Sequence, residues 1–334
     1  MIKSALIILI SLYSSLSVCQ DNLQIEGIKT ILKFNPNSEF LVVLVHGSGR
    51  QNIEGKMTIG TNSDCFYKEY VGKEFKLLTE ISDNLYDLGF STLRYDKLST
   101  RTSKEKDFLV KDFEKDLNEI LQKVKEDKLL REKKIILFGW SEGVTVAINQ
   151  LNYNMDIEGM ILYGGVFMDP IKMKANAYFN NYKICEGNEK KARSYRNQFI
   201  QQLEQSEEVG DNFEKRVVFL DTLYNEDITK ISGVSKKAIS YTKAYFRNLK
   251  MEVLNSIENL SNSEIPMLII HGDTDVNVPI ENHQHMKKRI KNKENLSFQV
   301  LKESDHFMRK NFDIEINHNL FEFIDEWKAQ LNDK

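Results

Sequence analysis

Residues 134–143 read KIILFGWSEG. Lys134 to Trp140 is a short, mostly apolar run, the pattern of a strand buried on both faces of a sheet. Gly139-Trp140-Ser141-Glu142-Gly143 closes it, and helical spacing starts near Glu142. A serine in G-x-S-x-G between a strand and a helix occupies a sharp, strained turn. Flanking glycines avoid collisions there, so the Ser141 hydroxyl is held above the end of the sheet. The helix beyond contributes outward N–H groups and the positive end of its dipole. These features make Ser141 a candidate nucleophile.

On either side lie further apolar, β-branched runs bounded by turn residues: FLVVLVH at 40–46, FSTLRYD at 90–96, GMILYGG at 159–165, PMLIIHG at 266–272 and FQVLKES at 298–304. Amphipathic helical spacing fills 74–88, 108–124 and 320–331. Near-continuous apolar strands alternating with such helices imply a mostly parallel, doubly wound α/β sheet. Between about 171 and 263 the alternation stops. This stretch of about 90 residues is too long for a connecting loop, so it is expected to be a helical insertion. The chain then divides into a core at 20–170 and 264–334 and an insertion at 171–263.

Three other segments carry chemistry, each just past a strand. VLVHGSG at 43–49 offers backbone N–H groups, with Ser48 (or Gly49) expected to join Glu142 as donors to an oxyanion. HGDTDVNVP at 271–279 holds two acids, Asp273 nearer the strand and Asp275 further out, the latter preferred as partner to a base. ESDHFM at 303–308 supplies His306 as general base. His46 and His271 read as structural, His283, His285 and His318 as exposed, and the Glu142 side chain as supporting or solvent-facing. The order Ser141, Asp275, His306 matches neither of the chymotrypsin and subtilisin orders.

On these motifs residues 38–331 resemble the α/β-hydrolase superfamily. HGSG, LGFSTLRYDKLST at 88–100 and GWSEG are similar to secreted bacterial esterases related to acyl-CoA thioester hydrolases and prolyl-oligopeptidase-like peptidases. The resemblance implies a helical lid over the site, formed by 171–263. It also implies hydrolysis of carboxylic esters or thioesters through a Ser-His-Asp triad and an acyl-enzyme. The sequence departs from that pattern at Arg50 (Pro in the family), Trp140 (His) and Val144 (Gly). Trp140 is expected at the pocket floor, and Val144 against helix–strand packing. Tyr245 and Phe246, within the insertion's aromatic set, are expected to contact an acyl chain. The alternatives are a serine peptidase or acyl-peptide hydrolase, and a silent binding protein on the same scaffold.

The composition agrees with a globular enzyme. Of 334 residues, 41% are hydrophobic and 28% charged, and 46 basic against 49 acidic side chains leave −3. Such a balance has no basic excess that would argue for binding nucleic acid. The chemistry calls for no metal and no organic cofactor, only a small acyl substrate. MIKSALIILISLYSSLSVCQ at 1–20 has the layout of a signal peptide cleaved before Gln20, and its apolar run is short for a membrane span. Secretion or periplasmic export is expected; the alternative is a lipoprotein anchored through Cys19. Cys65 and Cys185 remain as a possible disulfide pair in such a compartment.

Overall fold

The computed structural model describes residues 20–21, 27–58, 65–102, 108–153, 155–205, 236–290 and 293–332. The signal-like segment 1–19 lies outside them. The first elements among the described residues are β1 (Gln20–Asp21), β2 (Thr30–Lys33), β3 (Phe40–Val45), β4 (Lys56–Thr58) and β5 (Glu74–Lys76). Then come α1 (Leu77–Asp87), β6 (Ser91–Tyr95), α2 (Leu98–Arg101), α3 (Val110–Glu126), β7 (Lys134–Trp140), α4 (Glu142–Ile148) and β8 (Ile157–Tyr163). Helices α5 (Pro170–Glu186), α6 (Glu189–Gln205) and α7 (Lys236–Asn262) precede β9 (Met267–Gly272). The chain finishes with α8 (Glu281–Arg289), β10 (Leu296–Leu301) and α9 (Asn319–Asn332).

The main sheet runs β1-β2-β6-β3-β7-β8-β9-β10. Its β1/β2 and β2/β6 pairs are antiparallel and all later pairs are parallel. Successive residues of a strand point to opposite faces. Leu41, Val43 and Val45 therefore join one apolar cluster, with α3, α4, α7 and α8, while Phe40, Val42 and Leu44 join the other, with α1 and α9. Both faces are covered, which explains why β3 reads as an unbroken apolar run.

The expected core helices are present with small shifts. The first starts at Leu77 because Glu74–Lys76 pairs with β4 instead. The segment expected as an insertion contains α5, α6 and α7. Asp169 caps α5 by accepting from the N–H groups of Ile171 and Lys172, with Pro170 in the first turn. Lys250 of α7 pairs with the same carboxylate at 2.8 Å. The later turns of α7 bury Leu249, Val253, Ile257 and Leu260 in the sheet's own cluster. Residues up to 262 are therefore partly core-covering, which the composition boundary at 263 did not separate. Phe213, Val217, Leu220, Leu223 and Tyr224 lie outside the described residues, as do the side chains of Tyr178, Tyr182, Tyr195, Phe199, Ile200, Tyr241, Tyr245 and Phe246. Cys185, near the end of α5, is disulfide-bonded. Among the described residues no helix is long and apolar enough to cross a membrane.

Candidate active site

Ser141 stands between β7 and α4 with φ 56° and ψ −121°, a strained conformation for a residue with a side chain. Its N–H donates to the Tyr163 carbonyl at 2.9 Å, and its own carbonyl accepts from the Val144 N–H. The turn is tight enough to require its glycines. A Cβ on Gly143 would lie 2.5 Å from the carbonyl oxygens of Val45 and His46, and one on Gly139 2.8 Å from the Gly143 carbonyl.

Two neighbouring strand ends, those of β9 and β10, bring Asp275 and His306 together. His306 Nδ1 and Asp275 Oδ2 are 2.7 Å apart, both residues buried. Because an ionised carboxylate only accepts, Nδ1 carries the hydrogen, which leaves Nε2 as the basic nitrogen. Asp275 Oδ1 accepts from the N–H groups of Asn277 and Val278, each at 2.9 Å, which fixes the carboxylate. Asp273 is more exposed and lies 3.6 Å from the Lys302 ammonium. Of the two acids it is Asp275 that meets His306. Gly164, directly after the residue that receives the Ser141 N–H, abuts this pair: a Cβ there would stand 3.4 Å from Asp275 Oδ2 and 3.5 Å from His306 Nδ1.

Trp140 is buried rather than open to a pocket. Its Nε1–H donates to the His306 carbonyl at 2.8 Å and its ring packs near His306 and Phe307. What it gives the site is a brace for the histidine backbone. Val144 is also fully buried, within the cluster beneath α4.

Sequence reasoning missed Asp305. Its Oδ2 accepts from the Tyr70 hydroxyl at 2.6 Å, its Oδ1 from the Phe307 and Arg309 N–H groups, and its carbonyl from the Tyr163 hydroxyl at 2.7 Å. These bonds lock the loop that carries His306. Burial pushes the Asp305 carboxyl up from its ordinary range, opposed by the hydrogen bond from Tyr70.

Lys97 was missed as well. Its Nζ donates to the Gly47 carbonyl at 2.5 Å and pairs with Glu142 Oε1 at 2.9 Å. Both side chains are inside: Lys97 is 3% exposed and Glu142 6%. The face of Phe113 lies 4.1 Å from the same ammonium. Glu142 is thus buried rather than solvent-facing. Ser48, by contrast, is exposed at the head of β3's loop. Lys97 follows FSTLRYD, and a lysine there reads as surface unless its partner is known.

The other histidines divide by burial. His46 donates from Nε2 to the Tyr95 carbonyl at 2.5 Å, and burial lowers it to about 4. His271 binds the Val278 carbonyl at 2.7 Å and is likewise lowered by burial. His283, expected at the surface, is instead buried on the inner face of α8, and burial lowers it to about 3. His285 and His318 are exposed. Among the described residues no group of three or more His, Cys, Asp or Glu side chains is arranged to hold a metal ion.

Similarities to known proteins agree with this architecture. The esterase Est1E from Butyrivibrio proteoclasticus superposes with a TM-score of 0.53 at 15% identity, over 94% of this chain and 99% of that one. A Pyrococcus furiosus esterase gives 0.51 at 14% identity, over 91% and 86%. The meta-cleavage product hydrolase CumD from Pseudomonas fluorescens gives 0.50 at 13% identity, over 91% and 95%. At such identities these likenesses show the fold alone. No curated protein matches the chain by sequence. The family model described as serine aminopeptidase, S33 matches residues 71–311, from before α1 to beyond His306. That span covers most of the sheet and both halves of the site, and the chain belongs to this family of α/β-hydrolase enzymes.

Proposed function

We propose that the protein is a serine hydrolase of carboxylic esters or thioesters. The observation that carries this is the Asp275–His306 hydrogen bond, 2.7 Å long, beside the strained elbow of Ser141. In this mechanism Ser141 Oγ attacks the acyl carbonyl and His306 Nε2 takes its proton. Asp275 orients the imidazole and stabilises its charged form without taking the proton itself. The oxyanion is held by the N–H groups of Ser48 and Glu142, where one such donor is worth about 3 kcal/mol. Proton return from His306 releases the alcohol or thiol. Water, deprotonated by the same nitrogen, then hydrolyses the acyl-enzyme.

The test is Ser141→Ala. We expect kcat on p-nitrophenyl esters to fall at least about 10³-fold with an unchanged fold. Fluorophosphonate labelling should disappear with it. A folded Ser141→Ala protein that keeps its turnover overturns the mechanism, and a wild-type protein that never labels favours the silent binding protein. The family's description favours a second reading, amide hydrolysis at a peptide N-terminus. Turnover of aminoacyl p-nitroanilides in preference to esters would establish it.

Two further readings accompany the first. The insertion, with Tyr245 and Phe246, serves as a lid that selects the acyl group, supported by its position between β8 and β9. The protein is exported, supported by the layout of residues 1–20 and by the oxidised Cys185.

A further inference from the structure

Lys97 and Glu142 form an ion pair that is almost wholly enclosed, with side chains 4% and 6% exposed. Lysine and glutamate are seldom buried, because removing both charges from water consumes most of what their attraction returns. Net stability is thus a poor reason for this pair. Its position suggests another. One ammonium joins two backbone segments that are far apart in sequence: the loop after β3, through the Gly47 carbonyl, and the first residue of α4, through the Glu142 carboxylate.

The Gly47 carbonyl and the Ser48 N–H belong to one planar peptide unit, in which the two groups point in opposite directions. Fixing the oxygen on Lys97 therefore fixes the direction of the Ser48 N–H. A cation on the carbonyl also polarises the unit, making that N–H a stronger donor. At the other end, Lys97 holds the side chain of Glu142, the residue immediately after Ser141. Gly47 itself is wedged against the elbow, since a Cβ there would meet the Trp140 ring at 2.9 Å and Ser141 Cβ at 3.2 Å. The Gly47 loop and the elbow thus form one packed unit, and Lys97 is the charge set between them.

We propose that Lys97 is a positioning residue for the oxyanion site: bonded to the Gly47 carbonyl and to Glu142, it aims the Ser48 and Glu142 N–H groups at the same point. The proposal rests on the serine-hydrolase reading. It makes Lys97 act when the carbonyl oxygen gains charge, and leaves binding of the neutral ester alone.

The experiment compares the wild-type protein with Lys97→Met and with the double variant Lys97→Met, Glu142→Met. The double variant removes both charges together, so that no unpaired carboxylate remains inside, while the Glu142 backbone N–H is kept. Both should lose about 10²-fold in kcat with KM within threefold. Affinity for a trifluoromethyl ketone, whose serine adduct carries the oxyanion, should fall by the same factor as kcat/KM. Affinity for the matching unreactive amide should not change. If a folded variant keeps kcat and ketone affinity within threefold of wild type, Lys97 does not position the donors. Equal losses for ketone and amide would make it a packing residue and overturn the proposal. If Lys97→Met fails to fold, the double variant alone decides. A wild-type protein inert to esters and to fluorophosphonate defeats the serine-hydrolase reading itself, a result distinct from an active wild type with equally active variants.

Discussion

Single side chains in this protein are governed by burial more than by charge count. His46 and His283 lose water on folding, and their protonation falls from 6.5 to about 4 and about 3. The unfolded chain therefore binds protons in a range where the folded one refuses them. The contribution of each histidine to stability is present above about pH 6.5 and is lost as pH falls toward about 4 for His46 and about 3 for His283. Within that window each histidine tilts stability by roughly 1.4 kcal/mol per pH unit. Urea titrations at pH 7.5 and 5.0 check this. The loss between them should shrink by about 2 kcal/mol in His283→Gln, and an equal loss in both proteins would refute the account. Residues of this kind are also where the sequence was least legible. His283 sits among Glu281, Asn282, Gln284 and Lys287, and only the face of α8 turned inward shows why it is buried. Lys97, Glu142 and Asp305 share that difficulty. A charge in sequence reads as surface, and its buried partner comes from a segment far along the chain.

The elements were more readable, because periodicity reports burial directly. β3, β6, β7, β8 and β9 stand out since residues on both of their faces are buried. β2 did not: it has four residues with alternating burial, at the antiparallel margin of the sheet. Ser141 was visible for a related reason, the G-x-S-x-G turn lying between a clear strand and a clear helix. Asp275 was preferred to Asp273 for its place further out on the loop, and its carboxylate is the one that meets His306. The later turns of helix α7 cover the core, and its polar outer residues hid the apolar row Leu249, Val253, Ile257, Leu260. The proposed lid belongs to its earlier part. Replacing Tyr245 and Phe246 by alanine should change KM and acyl-length preference by at least about tenfold while fluorophosphonate labelling stays within about twofold. If short esters, long esters and the probe all decline together in a folded variant, these positions are scaffold.

At the scale of the whole molecule, the export proposal makes a covalent prediction. Protein purified from the producing cell should begin at Gln20, with Cys185 oxidised until reductant is added. Intact mass with and without reduction reads both. A retained Met1 contradicts export, and a diacylglycerol on Cys19 replaces secretion by membrane anchoring.

The ion pair between Lys250 and Asp169 bears on how such a protein can diversify. It closes the base of the segment that leaves the sheet after β8, so the two ends of the excursion are held side by side. Lengthening a chain whose ends are already fixed costs little, about 0.6 kcal/mol for each doubling of a flexible loop. New sequence spliced beyond that staple would leave the sheet, and the pair formed by Asp275 and His306, undisturbed. The natural graft points then lie inside the staple, after Met173 and Ala175 on one side and before Leu249 on the other, because all three belong to the sheet's own cluster. A transplant cut at 263 would tear out Val253 and Ile257 from beneath the sheet, while one cut inside the staple could carry a different selectivity onto the same chemistry.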